Sequence, residues 1–279
     1  MVKCLGIFRE LQNSPNRETD DALILKAVIE QLELQRVEAR AVEPEKADAE
    51  ELSDWDMIVP MCETYPRLMR LKQLSLRSGA LIVNHPDAVL GCYRTRMIPS
   101  FEKSGVRFPE TEIRATSSSA PLPEWADGGV WVKRGDVHNT CAHDVVYARD
   151  MAELEAIRRD FQRREISNLL IQRHVEGDLI KFYGVGPGQW FTWFYHDPAS
   201  ARRLPFELED LAAEAEKAAG AVGLEVFGGD AIVSPDGPIH LIDINSWPSF
   251  AKVRNDAAIQ IARRLRARLR RREESRKPQ

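Results

Sequence analysis

The chain has 279 residues, of which 43% are hydrophobic and 29% charged, with a formal net charge of −4. This is the composition of a globular protein with a sizeable core, long enough for one large lobe or two to three small ones. No apolar run approaches the roughly 20 residues of a membrane helix. Arg9 and Glu10 also come too early for a secretory apolar region, so membrane and secreted classes are set aside.

Short apolar runs alternate with longer helical patterns, which indicates an α/β architecture. Strands are expected at 3–9, 57–61 and 80–84, with helices near 19–35 and 67–77. In the first helix Ala22, Leu25, Ile29 and Leu32 recur near the 3.6-residue period, with Thr19 or Asp20 as cap. This region reads as a small parallel-sheet lobe.

A helix over 95–104 leads into Gly105 and Pro109, and 116–129, rich in Ser, Pro and Gly, reads as a loop. A second sheet is expected from strands 130–134, 143–148 and 169–175 with a helix near 151–164. A third is expected from 179–185, 190–195, 230–234 and 240–245 with a helix near 206–222, Pro235-Asp236-Gly237 forming the last hairpin turn. The boundaries expected are 1–92, 93–178 and 179–260, followed by 261–279, a helix with Ile261, Leu265 and Leu269 on one side that frays into a charged tail.

That tail carries +7 from Arg263 onward and leaves −11 on the body, a poor nonspecific binder of nucleic acid. No aromatic residue interleaves its arginines to stack a base. Neither a specific nucleic acid nor a membrane is expected as partner. Cys4, Cys62, Cys92 and Cys141 form no CxxC pair, so a disulfide framework or zinc knot is not indicated and a reducing cytoplasmic setting is expected.

The segment 227–250, FGGDAIVSPDGPIHLIDINSWPSF, is the most informative. Residues two apart on a strand share a face, so Asp243 and Asn245 point the same way, and an antiparallel neighbour can bring Asp230 beside them. Two carboxylates and an amide oxygen suit Mg²⁺, a hard cation that prefers oxygen ligands; a turn-rich hairpin with an Asx cap before Pro248 is the bland alternative. Lys133 and Lys181 lie on apolar strands, where an ammonium is costly to bury unless it meets an anion such as phosphate or snorkels to the surface. Between them, 171–178 is a strand running into a connector. Its backbone can face an adenine edge, and the carboxylate beyond it can hold ribose hydroxyls.

In this order the features resemble the ATP-grasp superfamily. The sequence has a strand lysine, a hinge strand, a second strand lysine after Gly177-Asp178, an Asp on a late strand, then Asp243-Ile244-Asn245 followed by a proline. The resemblance covers residues 82–253 and implies an α/β ATP-grasp fold, with an N-terminal parallel-sheet lobe and two further α+β lobes enclosing ATP. It implies that Lys133 and Lys181 bind ATP phosphates, that Gln172, Arg173, His174 and Val175 line the adenine and that Asp178 meets the ribose. Asp230, Asp243 and Asn245 would hold Mg²⁺, and Arg96 is a further phosphate-binding candidate. No Walker-type phosphate loop competes with this reading.

The stretch 133–144, KRGDVHNTCAHD, resembles the inositol trisphosphate 5/6-kinase pattern, a lysine followed by His-x-Thr-x-x-His-Glu, and LIDINSWPSF and IQRHVEGDLIKFYGVG resemble segments of the same family. The resemblance implies a Mg-ATP-dependent kinase acting on a hydroxyl of an inositol phosphate or similar polyol phosphate, with His143 at substrate or γ-phosphate and His138 in the loop. Phosphoryl transfer needs positioning and electrostatics more than covalent chemistry. The sequence departs from that family at Ser249, which replaces a glycine, and at Glu63, in a region where a phosphate-binding lysine is missing. Arg9, Arg17, Arg202 and Arg203 are candidates to compensate. The alternative is a carboxylate–amine ligase working through an acyl phosphate; a binding protein without catalysis is a weaker third reading. The expected partner is thus a small molecule, polyol phosphate or carboxylate, and the oligomeric state is not legible.

Overall fold

The computed structural model describes residues 2–14, 18–49, 51–118, 120–121, 123–126, 129–136 and 141–275. Among them the first lobe runs through β1 (Lys3–Ile7), α1 (Glu18–Leu34), β2 (Glu38–Val42), α2 (Pro44–Ala49), β3 (Met57–Pro60), α3 (Tyr65–Ser78) and β4 (Leu81–Ile82). Its sheet is parallel in the order β2-β1-β3-β4. Two short helices, α4 (Pro86–Gly91) and α5 (Arg94–Ser104), follow.

The central sheet has the order β5-β8-β6-β7, with β5 (Thr111–Ala115), β6 (Val130–Arg134), β7 (Val145–Ala148) and β8 (Asn168–Arg173), all antiparallel. Helix α6 (Met151–Arg163) covers it by burying Leu154 and Phe161 against Val130, Val132 and Ile171. The third sheet has the order β10-β9-β11-β12, from β9 (Asp178–Val185), β10 (Trp190–Tyr195), β11 (Val226–Val233) and β12 (Ile239–Ser246), again antiparallel. Helix α7 (Leu208–Val222) lies on it, and α8 (Arg254–Ser275) is the last described element. The β11–β12 turn falls where the Pro-Asp-Gly signal placed it, with Gly237 at φ +98° and its N–H donated to the Ser234 carbonyl.

Four elements escape the sequence pattern. β2 (EARAV) and β5 (TEIRA) are polar edge strands, and α2 and α4 have only six residues each, too short to display a helical period. The strand expected to begin at 143 begins at Val145, because Ala142–Asp144 forms a 3₁₀ turn.

The lobe boundaries also differ from expectation. Met97, Ile98 and Phe101 of α5 share a core with Leu211, Ala215 and Ala218 of α7 and with Phe182 and Ile244 of the third sheet, so α5 joins the third lobe rather than the central one. The expected C-terminal helix starts earlier than 261: helix α8 runs from Arg254 to Ser275, and Ile261, Leu265 and Leu269 are fully buried against Ile24, Leu25, Val28 and Leu32 of α1. Small residues Ala257, Ala258 and Ala262 line the same seam and let the two helices approach closely.

None of the helices is long and apolar enough to cross a membrane, among the described residues. All four cysteines are free, with Cys4, Cys62 and Cys92 buried.

Candidate active site

One face of the third sheet carries a row of charge. Lys181 on β9 stands opposite Asp230 on β11, and Asp230 stands opposite Asp243 on β12. The adjacent row is Tyr183, Gly228 and Asn245. The alternation of strand side chains therefore brings Lys181, Asp230, Asp243 and Asn245 to the wall of one cavity. The two glycines before Asp230 are needed for this. A Cβ at Gly228 would lie 2.7 Å from both Pro248 and Tyr183, and one at Gly229 would lie 2.3 Å from the Asp243 carbonyl.

The ladder slips by one residue here. Asp230 pairs with Asp243 but Ala231 pairs with Leu241, so Ile242 is the extra residue of a bulge. A bulge residue has backbone groups left out of the ladder, and the Ile242 carbonyl accepts the Lys133 ammonium at 3.0 Å. Lys133 thereby spans from the central sheet to the third. It is only 5% exposed, and burial, reinforced by the nearby Arg94 cation and opposed by Asp243 and Asp230, pushes its ammonium down to about 8.

Cations also hold the two aspartates. Lys181 Nζ lies 2.5 Å from Asp230 Oδ1, and Arg94 Nη2 lies 2.9 Å from Asp243 Oδ2. Arg94 donates as well to the Arg134 carbonyl at 3.0 Å. No group of three or more His, Cys, Asp or Glu suited to a metal forms among the described residues. A dication would rest on Asp230, Asp243 and the Asn245 amide, an all-oxygen donor set that fits a hard ion such as Mg²⁺.

Two cavities flank this row. The first, of about 340 Å³, opens toward the N-terminal lobe and includes Arg9 and Ser249 in its wall. Arg9 is held there by Asp21 at 3.1 Å, by Glu63 and by the Trp247 carbonyl at 2.5 Å. The second, of about 580 Å³, is bordered by Trp131, Lys133, Leu179, Ile232 and Ile242 and by the chain from Gln172 to Gly177. Gln172 donates its amide to Thr111 Oγ1 at 2.9 Å; His174 accepts the Trp131 indole N–H at 3.1 Å; Arg173 pairs with Glu110 at 3.3 Å; Val175 completes the edge.

Several expected residues fall elsewhere. Asp178 is buried outside both cavity walls and accepts the backbone N–H groups of Arg202 at 2.7 Å and Leu204 at 2.8 Å, so it anchors the chain returning from β10. The carboxylate that borders the second cavity is Glu176. Arg202 is in that wall, whereas Arg203, at φ +59°, is exposed and in neither. His143 is exposed and lines neither cavity, because the adjacent Asp144 turns inward to pair with Arg164 and Arg134. Arg96 is exposed too. Arg17 and His138 lie outside the described residues.

Of Arg94 and Arg96 the sequence reading took Arg96 as the candidate, although the helix pattern favours Arg94. Arg94, Met97, Ile98 and Phe101 are the buried residues of α5 and follow the i, i+3, i+4, i+7 pattern, which puts Arg94 rather than Arg96 on the inward face.

No family model matches the chain, and no curated protein matches it by sequence. Solved structures do match. A D-alanine–D-alanine ligase from Bacillus anthracis complexed with ATP superposes with a TM-score of 0.72 at 13% identity, over 99% of this chain and 100% of that one. A RimK domain ATP-grasp protein from Sphaerobacter thermophilus gives 0.68 at 18% identity, over 93% and 98%. A D-cycloserine synthetase gives 0.66 at 17% identity, over 96% and 99%. At these identities the likeness establishes the fold, and the three-sheet α/β arrangement is the ATP-grasp fold.

Proposed function

We propose that the chain is an ATP-dependent, Mg²⁺-requiring ligase that activates a carboxylate as its acyl phosphate and joins it to an amine. The observation that carries this reading is the Lys181–Asp230–Asp243 row, with Asn245 beside it, set between an apolar-walled cavity and a cavity that holds two arginines. The second cavity would take the adenine between Trp131, Leu179 and Ile242, with Glu176 toward the ribose. Lys133 and Lys181 would meet the phosphates, for which a buried ammonium with a lowered pKa is well prepared. Asp230, Asp243 and Asn245 would hold Mg²⁺, which when bound neutralises phosphate charge. Nucleotide and metal must then displace the Lys181–Asp230 and Arg94–Asp243 pairs, leaving Arg94 able to stabilise negative charge on the acyl group undergoing substitution.

The kinase reading has less support. It rested on the His138 and His143 loop and on two segments that resemble the same kinase family, and His143 is exposed outside both cavities. The cations at the acceptor end are Arg9 and Arg94, and Arg9 is already balanced by Asp21 and Glu63, a poor setting for a polyphosphate. The fold neighbours, a ligase and two synthetases among them, agree with the alternative rather than with a kinase.

The test is incubation with Mg²⁺, γ-labelled ATP and a panel of amino acids and small carboxylates, with and without amines, alongside inositol phosphates. Label released as phosphate only when a carboxylate is present, and hydroxamate formation when hydroxylamine replaces the amine, is the expected result. Stable transfer of label to an inositol phosphate would overturn it.

A further inference from the structure

Asn245 is the next-to-last residue of β12, and the bulge at Ile242 lies between it and the hairpin turn. A bulge breaks the ladder, so the hairpin turn cannot by itself fix how 243–246 sits against β11. That stretch has to be held from its far end, and the first lobe holds it.

The chain leaving β12 is forced into an unusual path. Trp247 and Phe250 lie at φ +46° and +49°, a region that non-glycine residues occupy only when their surroundings compel it. Both are fully buried and share a core with Met57, Val59, Met61 and Val83 of the first lobe. The Trp247 indole N–H donates to the Val83 carbonyl at 3.2 Å, and Arg9 donates to the Ser246 and Trp247 carbonyls at 3.3 and 2.5 Å.

Asn84, just after β4 and completely buried, is the centre of this joint. Its Nδ2 donates to the Val226 carbonyl at 2.7 Å and to Ser246 Oγ at 2.9 Å. Its Oδ1 accepts the backbone N–H groups of Glu225 at 2.8 Å and Val226 at 3.0 Å. Four bonds are the full complement of a carboxamide. Val226 opens β11, and its carbonyl also accepts the Trp247 N–H at 3.2 Å. One side chain of the first lobe therefore ties the first residue of β11 to the last of β12, the two strands that carry Asp230, Asp243 and Asn245.

We infer that Asn84 is a positioning residue for the metal: by pinning Val226 and Ser246 it keeps the Asn245 amide in register with Asp230 and Asp243, a role that rests on the proposed Mg²⁺ site and is independent of the acceptor. Residues that orient metal ligands without touching the ion typically cost roughly 10–100-fold in metal affinity when they are removed.

The probe is Mn²⁺, a paramagnetic stand-in for Mg²⁺, whose binding to the full chain is followed by water-proton relaxation with a non-hydrolysable ATP analogue at saturation. Asn84→Ala should raise the half-saturating Mn²⁺ concentration at least tenfold, while affinity for the analogue in EDTA stays that of wild type. Ser246→Ala breaks just the bond across to β12 and keeps the test open if Asn84→Ala does not fold; it should raise the same midpoint about threefold, the worth of one hydrogen bond. A merely structural Asn84 would instead lower the melting temperature and leave the Mn²⁺ midpoint where it is, and an unchanged midpoint in the folded variants overturns the inference. Asp243→Asn distinguishes the two failures. If it abolishes Mn²⁺ binding while the Asn84 and Ser246 variants bind as wild type does, the metal site stands and Asn84 is a structural contact. If Asp243→Asn also binds Mn²⁺ normally, the metal site is misplaced and the role of Asn84 falls with it.

Discussion

Lys133 shows how a single residue couples burial to binding. Its folded pKa of about 8 lies below the ordinary 10.5, with burial as the main cause. Between those values the unfolded chain keeps a proton that the folded chain releases, so this group's contribution to stability rises with pH through the window and its penalty is complete below pH 8. Lys133→Met should therefore be more stable than wild type in urea at pH 7, and the advantage should vanish by pH 10.5. A nucleotide phosphate beside the ammonium would restore the proton, so binding near pH 8.5 should take up protons in wild type and not in Lys133→Met. Calorimetry in two buffers of different ionisation enthalpy reads this directly. Asp243 is the counterpart. Asp243→Asn should abolish turnover, and it also removes the carboxylate charge paired with Arg94, which is 3% exposed. Breaking a buried pair is destabilising, here by roughly 2 kcal/mol because Asp243 is partly exposed, a loss that chemical denaturation of the ligand-free variant would show. The meeting of Asp230, Asp243 and Asn245 on one face was legible because strand alternation fixes which residues share a face, and both lysines stood out as charges on apolar strands. Arg94 and Glu176 were not, since one needs the phase of a short helix and the other the path of a connector.

At the scale of elements, long periodic segments were legible and marginal ones were not. Helices α1, α3, α6 and α7 lie within two residues of their expected limits, because each shows an apolar stripe over several turns. β2 and β5 have no such stripe, and only their neighbours in the sheet make them strands. Helix α8 is the instructive case. Its arginines suggest a solvated tail, yet Arg264 pairs with Glu225 at 2.6 Å and Arg272 reaches the Asp56 carbonyl, while the apolar side packs on α1. Leu265, fully buried in that seam, should cost about 2–4 kcal/mol on replacement by Ala. A fall of less than 0.5 kcal/mol in urea unfolding would mean that α8 contributes little to the first lobe.

Across the whole molecule, three cations from distant parts of the chain converge on the end of β12. Arg9 comes from the first lobe to the Trp247 carbonyl, Arg94 from α5 to Asp243, and Lys133 from the central sheet to the Ile242 carbonyl. The order of motifs made the fold legible, but this convergence was not, since it depends on which lobe each connecting helix packs against. A ligand bound among these groups touches all three lobes and stabilises the folded state as a unit, by about 2.7 kcal/mol at a hundred times its Kd. For a chain of this size that corresponds to a rise in Tm of roughly 5 °C. Lys181 contributes through its place opposite Asp230, so Lys181→Ala should keep the fold, weaken nucleotide binding and give a smaller rise at the same Mg-ATP concentration. A rise equal to that of wild type, seen by calorimetric melting across a nucleotide titration, would remove Lys181 from the phosphate site and leave its pair with Asp230 as a structural contact.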